Sequence, residues 1–246
     1  MLIREGEARS SDTDRRLACT LALFAGALNS AGFYAMGFFS SNMTGNISTF
    51  ADYFALGDLL TGMVYLAIVA AFILGAAIST FLITIGRRKA IHRIYAFSIL
   101  VEAVLLTGLG FADLWLPGVN RGPILIFGLS FLMGLQNSVV TRISNARVRT
   151  THVSGMVTDI GIELGSLLDV ALRRGGAGEA APFLEKLRLH SMTVLSFCVG
   201  GIGGVLAYKA VGPFLLFGIA ALLFLIALQG ILTRTTSQPA GVSVRG

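Results

Sequence analysis

The sequence is poor in the residues that soluble enzymes and metal sites use. Of its 246 residues only 13% are charged, three are histidine and two are cysteine. Cys19 and Cys198 lie in apolar stretches, without a second cysteine or a histidine at metal-ligand spacing. This pattern argues against a disulfide framework and a zinc-type cluster. We expect no metal and no cofactor, and we interpret both cysteines as small core residues.

Catalytic patterns are equally scarce. His152, Ser154 and Asp159 lie close together in sequence, but nearness along the chain does not establish the geometry of a nucleophile, a base and an acid. No Gly-rich loop with a lysine for phosphate and no thiol–histidine arrangement is found. We therefore do not expect an enzyme, and a lipid-modifying enzyme ranks third among the functions considered.

Long polar stretches are missing between residues 15 and 232. Across the chain 54% of residues are hydrophobic and the mean hydropathy is +0.78, too apolar for an ordinary water-soluble domain. At roughly 20 residues per crossing of a hydrocarbon core, six runs can span a membrane. They cover 17–39, 60–85, 94–115, 123–140, 191–211 and 213–232. The sequence predicts an all-α membrane domain over 15–232, with disordered cytoplasmic tails at 1–14 and 233–246.

The positions of lysine and arginine predict the orientation of this domain. If the N-terminus is cytoplasmic, Arg121 and Lys209 fall outside and the other 17 of the 19 basic residues fall inside. We therefore expect both termini in the cytoplasm. Topology and attraction to anionic lipids explain the net charge of +6, so the expected partner is the lipid bilayer and not nucleic acid.

Internal similarity divides the chain near residues 119–122 into two halves of three spans each. The first helix of each half contains Gly-x-x-Asn-Ser, and a hydroxyl-Gly pair follows in each half. The matches are 26–30 with 134–138, 44–45 with 154–155, and 72–75 with 197–200. Because three is odd, the halves must insert in opposite directions. The sequence predicts inverted repeats at 17–116 and 121–232, with an inserted flexible loop at 173–182; shared packing residues are the alternative explanation.

Each hydroxyl-Gly pair interrupts the apolar pattern and precedes a short helix. Thr44 and Ser154 are predicted to cap these helices, whose N-termini would attract an anion or an electronegative group. Polar residues then share one face of each helix: Asn46, Thr49 and Tyr53 in the first, and Asp159, Glu163 and Ser166 in the second. Paired interrupted segments of this kind indicate a substrate site in transporters. The alternative is a pair of interfacial helices along the headgroups.

Two groups of candidate site residues follow. The predicted substrate-binding residues are Asn29, Thr44, Gly45, Asn46, Gln136, Asn137, Ser154 and Gly155. Glu102, near the middle of the third span, is a candidate for proton coupling together with Asp159 and Glu163. A carboxylate at this depth must face the bundle interior, pair or be protonated. A structural Glu102, and amides that only link helices, are the alternatives.

Four segments resemble the YoaK-like family of bacterial multi-pass membrane proteins, known as a domain of unknown function. They are 24–33, 43–46, 134–137 and 151–158, and the resemblance extends over 17–232. It implies a six-span protein of the bacterial inner membrane and supplies no substrate. Where many relatives carry an acidic residue in the first helix, this chain has Asn29, which implies different coupling if that position binds a cation or proton.

The function that these features favour is alternating-access transport of a small solute, with proton coupling as an option. The alternative is a non-transporting scaffold or regulator that docks partners through the basic cytoplasmic loop 142–188. A slim bundle of six helices is also compatible with a small homo-oligomer. The sequence indicates neither the solute nor the direction of transport.

Overall fold

The computed structural model describes residues 11–91, 93–116 and 118–232, and most of them are helical. The helices are α1 Ser11–Met36, α2 Met43–Ala55, α3 Leu59–Arg88, α4 Ile94–Trp115, α5 Gly118–Ile143, α6 Val153–Leu172, α7 Ala177–Val211 and α8 Phe214–Leu232. Six of these, all except α2 and α6, are long and apolar enough to cross a membrane. The prediction of an all-α membrane protein with six spanning helices is therefore confirmed.

Two predicted irregular segments are helical where the structure describes them. Residues 11–14, assigned to the N-terminal tail, form the first turn of α1, in which Asp12 and Asp14 favour the helix N-terminus. The rest of the two predicted tails, 1–10 and 233–246, lies outside the described residues. Of the predicted loop 173–182, only 173–176 connects helices, because the alanine-rich segment after it begins α7.

The bundle has two ends that differ in charge. We call the end where α1 begins and α3 and α5 end the basic face, since it carries Arg15, Arg87 and Arg147. The opposite face is where α1 ends and α5 begins, and it carries Arg121. Between the two faces, many large apolar side chains on the outside of the bundle are exposed, as lipid contact requires.

Helices α1 and α7 pack backbone against backbone at glycines. A Cβ added at Gly26 would lie 2.9 Å from the carbonyl carbon of Phe197, and one added at Gly200 would lie 2.8 Å from that of Leu23. No side chain separates the two helices at these positions. In lipid, such small residues allow helices to approach and to gain dispersion energy.

Helices α3 and α5 meet in the same way. A Cβ at Gly75 would lie 2.8 Å from the carbonyl carbon of Phe131, and one at Gly134 would lie 2.8 Å from that of Phe72. Each half of the chain therefore contributes one long helix to each of these two pairs. The remaining long helices, α4 and α8, pack on each other, while α2 packs on α3 and α6 packs on α7.

Candidate functional site

The chain folds back along α1 before α2 begins. The backbone N–H of Ser41 donates a buried hydrogen bond to Asn29 Oδ1 at 3.0 Å. Asn29 lies seven residues before the end of α1 at Met36, which is roughly 10 Å along the helix axis. Helix α2 therefore begins beside the interior of α1 and runs toward the opposite face, where α3 begins.

An equivalent fold-back follows α5. Asn137 Nδ2 donates to Thr151 Oγ1 at 2.7 Å, and Thr150 Oγ1 donates to Asn137 Oδ1 at 3.3 Å. Asn137 lies six residues before the end of α5 at Ile143, so α6 also begins beside the interior of a long helix. It runs toward the basic face. This geometry favours re-entrant segments over helices that lie along the headgroups throughout.

The predicted helix caps are wrong by two residues. The N-cap of α2 is Asn42, whose Oδ1 accepts from the Gly45 N–H at 3.1 Å, and Thr44 lies inside the first turn. The N-cap position of α6 is His152, which makes no side-chain cap bond, and Ser154 lies inside the first turn. The hydrogen bonds of the fold-backs fix where each helix can begin, and they are not visible in the local sequence.

The glycines of the hydroxyl-Gly pairs make room for the residue at the cap. A Cβ at Gly45 would lie 2.9 Å from Asn42 Cγ, and a Cβ at Gly155 would collide with the His152 ring. In both helices the side chain before the first turn lies over the position that glycine leaves open. The structure thus gives Gly45 and Gly155 a steric role in the start of α2 and α6.

The starts of α2 and α6 meet at one cavity of about 560 Å³, which we call the central cavity. Its lining residues are Asn29, Phe39, Ser41, Asn42, Met43, Thr44, Phe72, Asn137, Thr141, Arg149, Thr151, His152, Val153, Ser154, Phe197 and Cys198. Both halves of the chain contribute to it. Cys198, interpreted from the sequence as a core residue, is exposed and lines this cavity.

The structure brings four of the predicted substrate-binding residues together at this cavity and leaves four outside its lining. Asn29, Thr44, Asn137 and Ser154 line it, and Gly45, Asn46, Gln136 and Gly155 do not. Of the latter, Asn46 is buried and donates from Nδ2 to the Phe39 carbonyl at 3.2 Å. Its contact with Phe39 supports a wall of the cavity from behind.

Glu102 connects to the same cavity through a chain of hydrogen bonds. Its side chain is fully buried, and Gln136 Nε2 donates to its Oε1 at 2.7 Å. The Thr150 hydroxyl is shared between Gln136 Oε1, at 3.4 Å, and Asn137 Oδ1. The other carboxyl oxygen, Glu102 Oε2, has no hydrogen-bond partner among the described residues. The side chains of Gln136 and Thr150 therefore connect the buried carboxyl group with Asn137 on the cavity wall.

The other two acidic candidates lie nearer the basic face. Asp159 is exposed, and Glu163 is buried with its Oε1 at 2.9 Å from His190 Nδ1. His190 lies on α7 and packs against α6. Asp159 and Glu163 line a second cavity, of about 550 Å³, with Asp14 and Arg147.

The central cavity adjoins other cavities on the basic face. It shares Arg149 and His152 with a cavity of about 390 Å³, which in turn shares Asp159 and His190 with the second cavity. It also shares Asn137 with a further cavity of about 570 Å³. The cavity found at the opposite face, of about 420 Å³, shares no described lining residue with the central one.

Three side chains close a ring of hydrogen bonds at the opposite face. Arg121 Nε donates to Asp113 Oδ1 at 2.6 Å, Arg121 Nη2 donates to the Tyr208 hydroxyl at 2.8 Å, and that hydroxyl donates to Asp113 Oδ2 at 2.7 Å. The ring joins α4 of the first half to α5 and α7 of the second. This ring was not predicted from the sequence. A usable signal was the presence of Asp113 near the end of α4 and Arg121 near the start of α5.

Arg149, His152, Thr150 and Thr151 were also missed as site residues. The segment just before α6 carries all four, and the sequence presents its arginines only as topology signals. A usable sign was a hydroxyl residue at a similar distance after each amide, since Ser41 lies 12 positions after Asn29 and Thr151 lies 14 positions after Asn137. In the described chain, no group of three or more His, Cys, Asp and Glu side chains is arranged to hold a metal ion.

Comparison with known proteins gives a family. The family DUF1275, described as "Protein of unknown function (DUF1275)", matches residues 17–229. The UPF0700 transmembrane protein YoaK of Bacillus subtilis (strain 168) is 26% identical over 192 residues, which cover 76% of this chain and 80% of YoaK. No solved structure matches the chain. The resemblance to the YoaK-like family is confirmed, and the chain belongs to the DUF1275 family.

Proposed function

We propose that this membrane protein is a carrier that moves a small solute by alternating access through the central cavity. The observation that supports it is the meeting of two interrupted segments, one from each half, at a single cavity. In carriers built from inverted repeats, discontinuous helices form the solute site at the repeat interface near the bilayer midplane. A volume of about 560 Å³ suits a small metabolite.

We propose that the two halves are inverted repeats, as the sequence predicts. Equivalent contacts recur with the two halves exchanged. Gly26 of the first half lies against the backbone of Phe197 in the second, and Gly134 of the second half lies against the backbone of Phe72 in the first. On the short helices, Tyr53 stacks on Tyr65 of α3, and Glu163 bonds to His190 of α7. Glu163 lies 110 positions after Tyr53, and His190 lies 125 positions after Tyr65. The same offsets relate 44–45 to 154–155 and 72–75 to 197–200 in the sequence. Helices α2 and α6 would then play the same part from opposite sides.

The proposed orientation has both termini in the cytoplasm of a bacterial cell, with the domain in the inner membrane. It is supported by the excess of arginine and lysine at the basic face. In this orientation the cavities that adjoin the central cavity lie on the cytoplasmic side. The described conformation is then the inward-facing one.

Access from outside requires one half to rock against the other. The ring of Asp113, Arg121 and Tyr208 links the halves at the opposite face, so it must open or move as a unit during this step. On the cytoplasmic side, Arg147 binds Asp14 of α1 at 3.0 Å and must adjust when the cavity closes there. These ionic contacts are the parts of the bundle expected to differ most between the two states.

Proton coupling, where present, is proposed for Glu102, with Asp159 and Glu163 as the other candidates. Glu102 is favoured because hydrogen bonds through Gln136 and Thr150 connect it with Asn137 on the cavity wall. A change in its protonation would alter which groups Gln136 and Thr150 can bond. Asp159 and Glu163 lie on α6 near the cytoplasmic cavities, where they would affect access instead of the wall itself.

The test is uptake into proteoliposomes of a solute identified by thermal-shift screening of metabolites, since a ligand of the folded state raises its stability. Thr44→Val and Ser154→Ala should reduce uptake because both residues line the central cavity. Ser166→Ala is the matched control on α6, since among the described residues its hydroxyl bonds to the Ile162 carbonyl of the same helix.

Uptake that is unchanged in both cavity variants would contradict the central cavity as the route of the solute. The failure of every stabilising solute to be taken up would contradict the carrier and favour the scaffold that docks partners through 142–188. That segment is largely helix α6 and the start of α7, so its partners would contact a helical surface.

A further inference from the structure

We propose that the solute of the central cavity is an organic anion, with a carboxylate or phosphoryl group bound by Arg149. This inference rests on the proposed function, because it names the class of solute that the carrier would take. It depends on the charge of the cavity lining, on the partners of Arg149 and on the shape of the remaining walls.

The lining of the central cavity carries positive charge without compensation. Arg149 is the only Lys, Arg, Asp or Glu among its described lining residues. His152 is the one histidine among them. The remaining lining residues are hydroxyl, amide, apolar or thiol side chains. Arg149 is exposed at the cavity, and its permanently charged guanidinium, with no carboxylate on the same walls, favours a ligand of opposite charge.

Arg149 has no carboxylate partner among the described residues, unlike several other arginines of the molecule. Arg121, Arg147 and Arg173 each bind an aspartate within 3.0 Å. In the described structure, the Arg149 guanidinium lies 3.3 Å from His152 Nδ1. A guanidinium has five N–H donors, so most of those on Arg149 remain available for a ligand in the cavity.

The two cavities that adjoin the central one differ in charge. The cavity of about 570 Å³ beside Asn137 is lined by Arg87 and Arg142 and by no described acidic residue. The cavity of about 390 Å³ that shares Arg149 is lined by Arg147 and also by Asp159. The path beside Asn137 therefore favours the approach of an anion, because charge of one sign raises the local concentration of the counter-ion.

The opposite walls fit the organic part of such a molecule. Phe39, Phe72 and Phe197 provide apolar surface, and Ser41 and Thr44 provide hydroxyl groups near the start of α2. The planar guanidinium matches the two oxygens of a carboxylate or phosphoryl group. A small anion with one charged end and an apolar or hydroxylated body satisfies both walls.

The experiment uses the full-length protein in detergent and measures thermal shifts with defined probes at equal millimolar concentration. The anions are benzoate, succinate and inorganic phosphate, the neutral probe is glucose and the cation is choline. Arg149→Gln removes the proposed ligand. Arg188→Gln, on the exposed side of α7 and outside the cavities described above, removes the same charge from the same face. Arg149→Lys keeps the charge without the planar fork.

We expect at least one anion to stabilise the wild-type protein and Arg188→Gln. Its affinity should be roughly 10-fold to 100-fold weaker in Arg149→Gln and intermediate in Arg149→Lys. The melting temperature of each variant without probe separates loss of binding from loss of folding. The absence of any Arg149-dependent shift by the three anions overturns the inference, as does equal stabilisation of wild type and Arg149→Gln by choline.

Counterflow in proteoliposomes separates this inference from the carrier itself. Transport of glucose or choline without any anion binding would support the carrier and refute the proposal that its solute is an anion. Binding of an anion through Arg149 without its exchange across the membrane would support the anion site and refute the carrier. Exchange of the bound anion, lost in Arg149→Gln and kept in Arg188→Gln, supports both.

Discussion

The glycine contacts between long helices provide a sharp test of the packing that forms the cavity walls. In Gly200→Ala the new Cβ would lie 2.8 Å from the carbonyl carbon of Leu23 and closer still to its oxygen. An ordinary carbon–carbon contact is about 3.5–4.0 Å, so α1 and α7 must separate locally by about 1 Å. The obstacle is the backbone of α1, and no change of side-chain rotamer can relieve it.

The size of the effect follows from that displacement. A gap of about 1 Å forfeits up to about half of the dispersion energy of each affected contact, and overpacking alone costs about 1–3 kcal/mol. Because Gly26 and Gly204 share this interface, we expect Gly200→Ala to cost at least about 3 kcal/mol. Gly203→Ala is the matched control on the same helix. Its Cβ would meet nothing within 4 Å, and it should gain about 0.5–1 kcal/mol from helix propensity.

The assay is unfolding of the two purified variants in the same detergent, by heat or by titration with a denaturing detergent. Gly200→Ala should melt well below the wild type and Gly203→Ala at or above it. Phe197, on the same face of α7, lines the central cavity, so binding of any stabilising solute should weaken in Gly200→Ala as well. Equal melting temperatures for the two variants would refute the backbone contact between α1 and α7.

Four further substitutions test other parts of the site. Glu102→Gln should keep the fold and remove any pH dependence of uptake, measured in proteoliposomes; an unchanged pH profile would exclude Glu102 as the coupling group. Tyr208→Phe removes the donor to Asp113 Oδ2 and should lower stability by about 1–2 kcal/mol, while increasing labelling of Cys198 in the central cavity from outside; unchanged labelling would argue against a link between the halves. Asn42→Ala should cost about 1 kcal/mol through loss of the helix cap, and His152→Ala less, in the same melting assay; equal costs would contradict the assigned caps.

The spanning helices were predictable because the bilayer fixes their length and polarity independently of tertiary contacts. Hydropathy found all six, and the errors lie at the ends, where polar residues continue a helix beyond the apolar run. Ser11 begins α1 four residues before the predicted domain, in a turn that contains the buried Asp14. The loop predicted at 173–182 was mostly helix for the same reason, since a polar and Gly-containing sequence continued α7 outside the apolar region.

The candidate site was predictable only in part. Asn29 and Asn137 were found from the repeat, and the structure gives each the same task, a hydrogen bond to the segment that folds back. The exact starts of α2 and α6 depend on those long-range bonds, which the local sequence does not contain. Arg149 was missed because its charge has an equally good explanation in membrane topology, and only the cavity distinguishes it from the arginines around it.

Each half brings a fold-back and the first turn of a short helix to the cavity, but the two halves supply different chemistry. Thr44 and Ser154 occupy matching positions in the first turns of α2 and α6, 110 residues apart, and the same offset relates Phe39 to Arg149. The fold-back of the first half thus brings an aromatic ring to the cavity where that of the second half brings a guanidinium. In the proposed orientation the guanidinium lies on the cytoplasmic side. In the outward-facing state the halves would exchange roles, and the cavity would open on the outer side beside Phe39. An anion would therefore meet an aromatic ring when it enters from outside and a guanidinium when it enters from the cytoplasm.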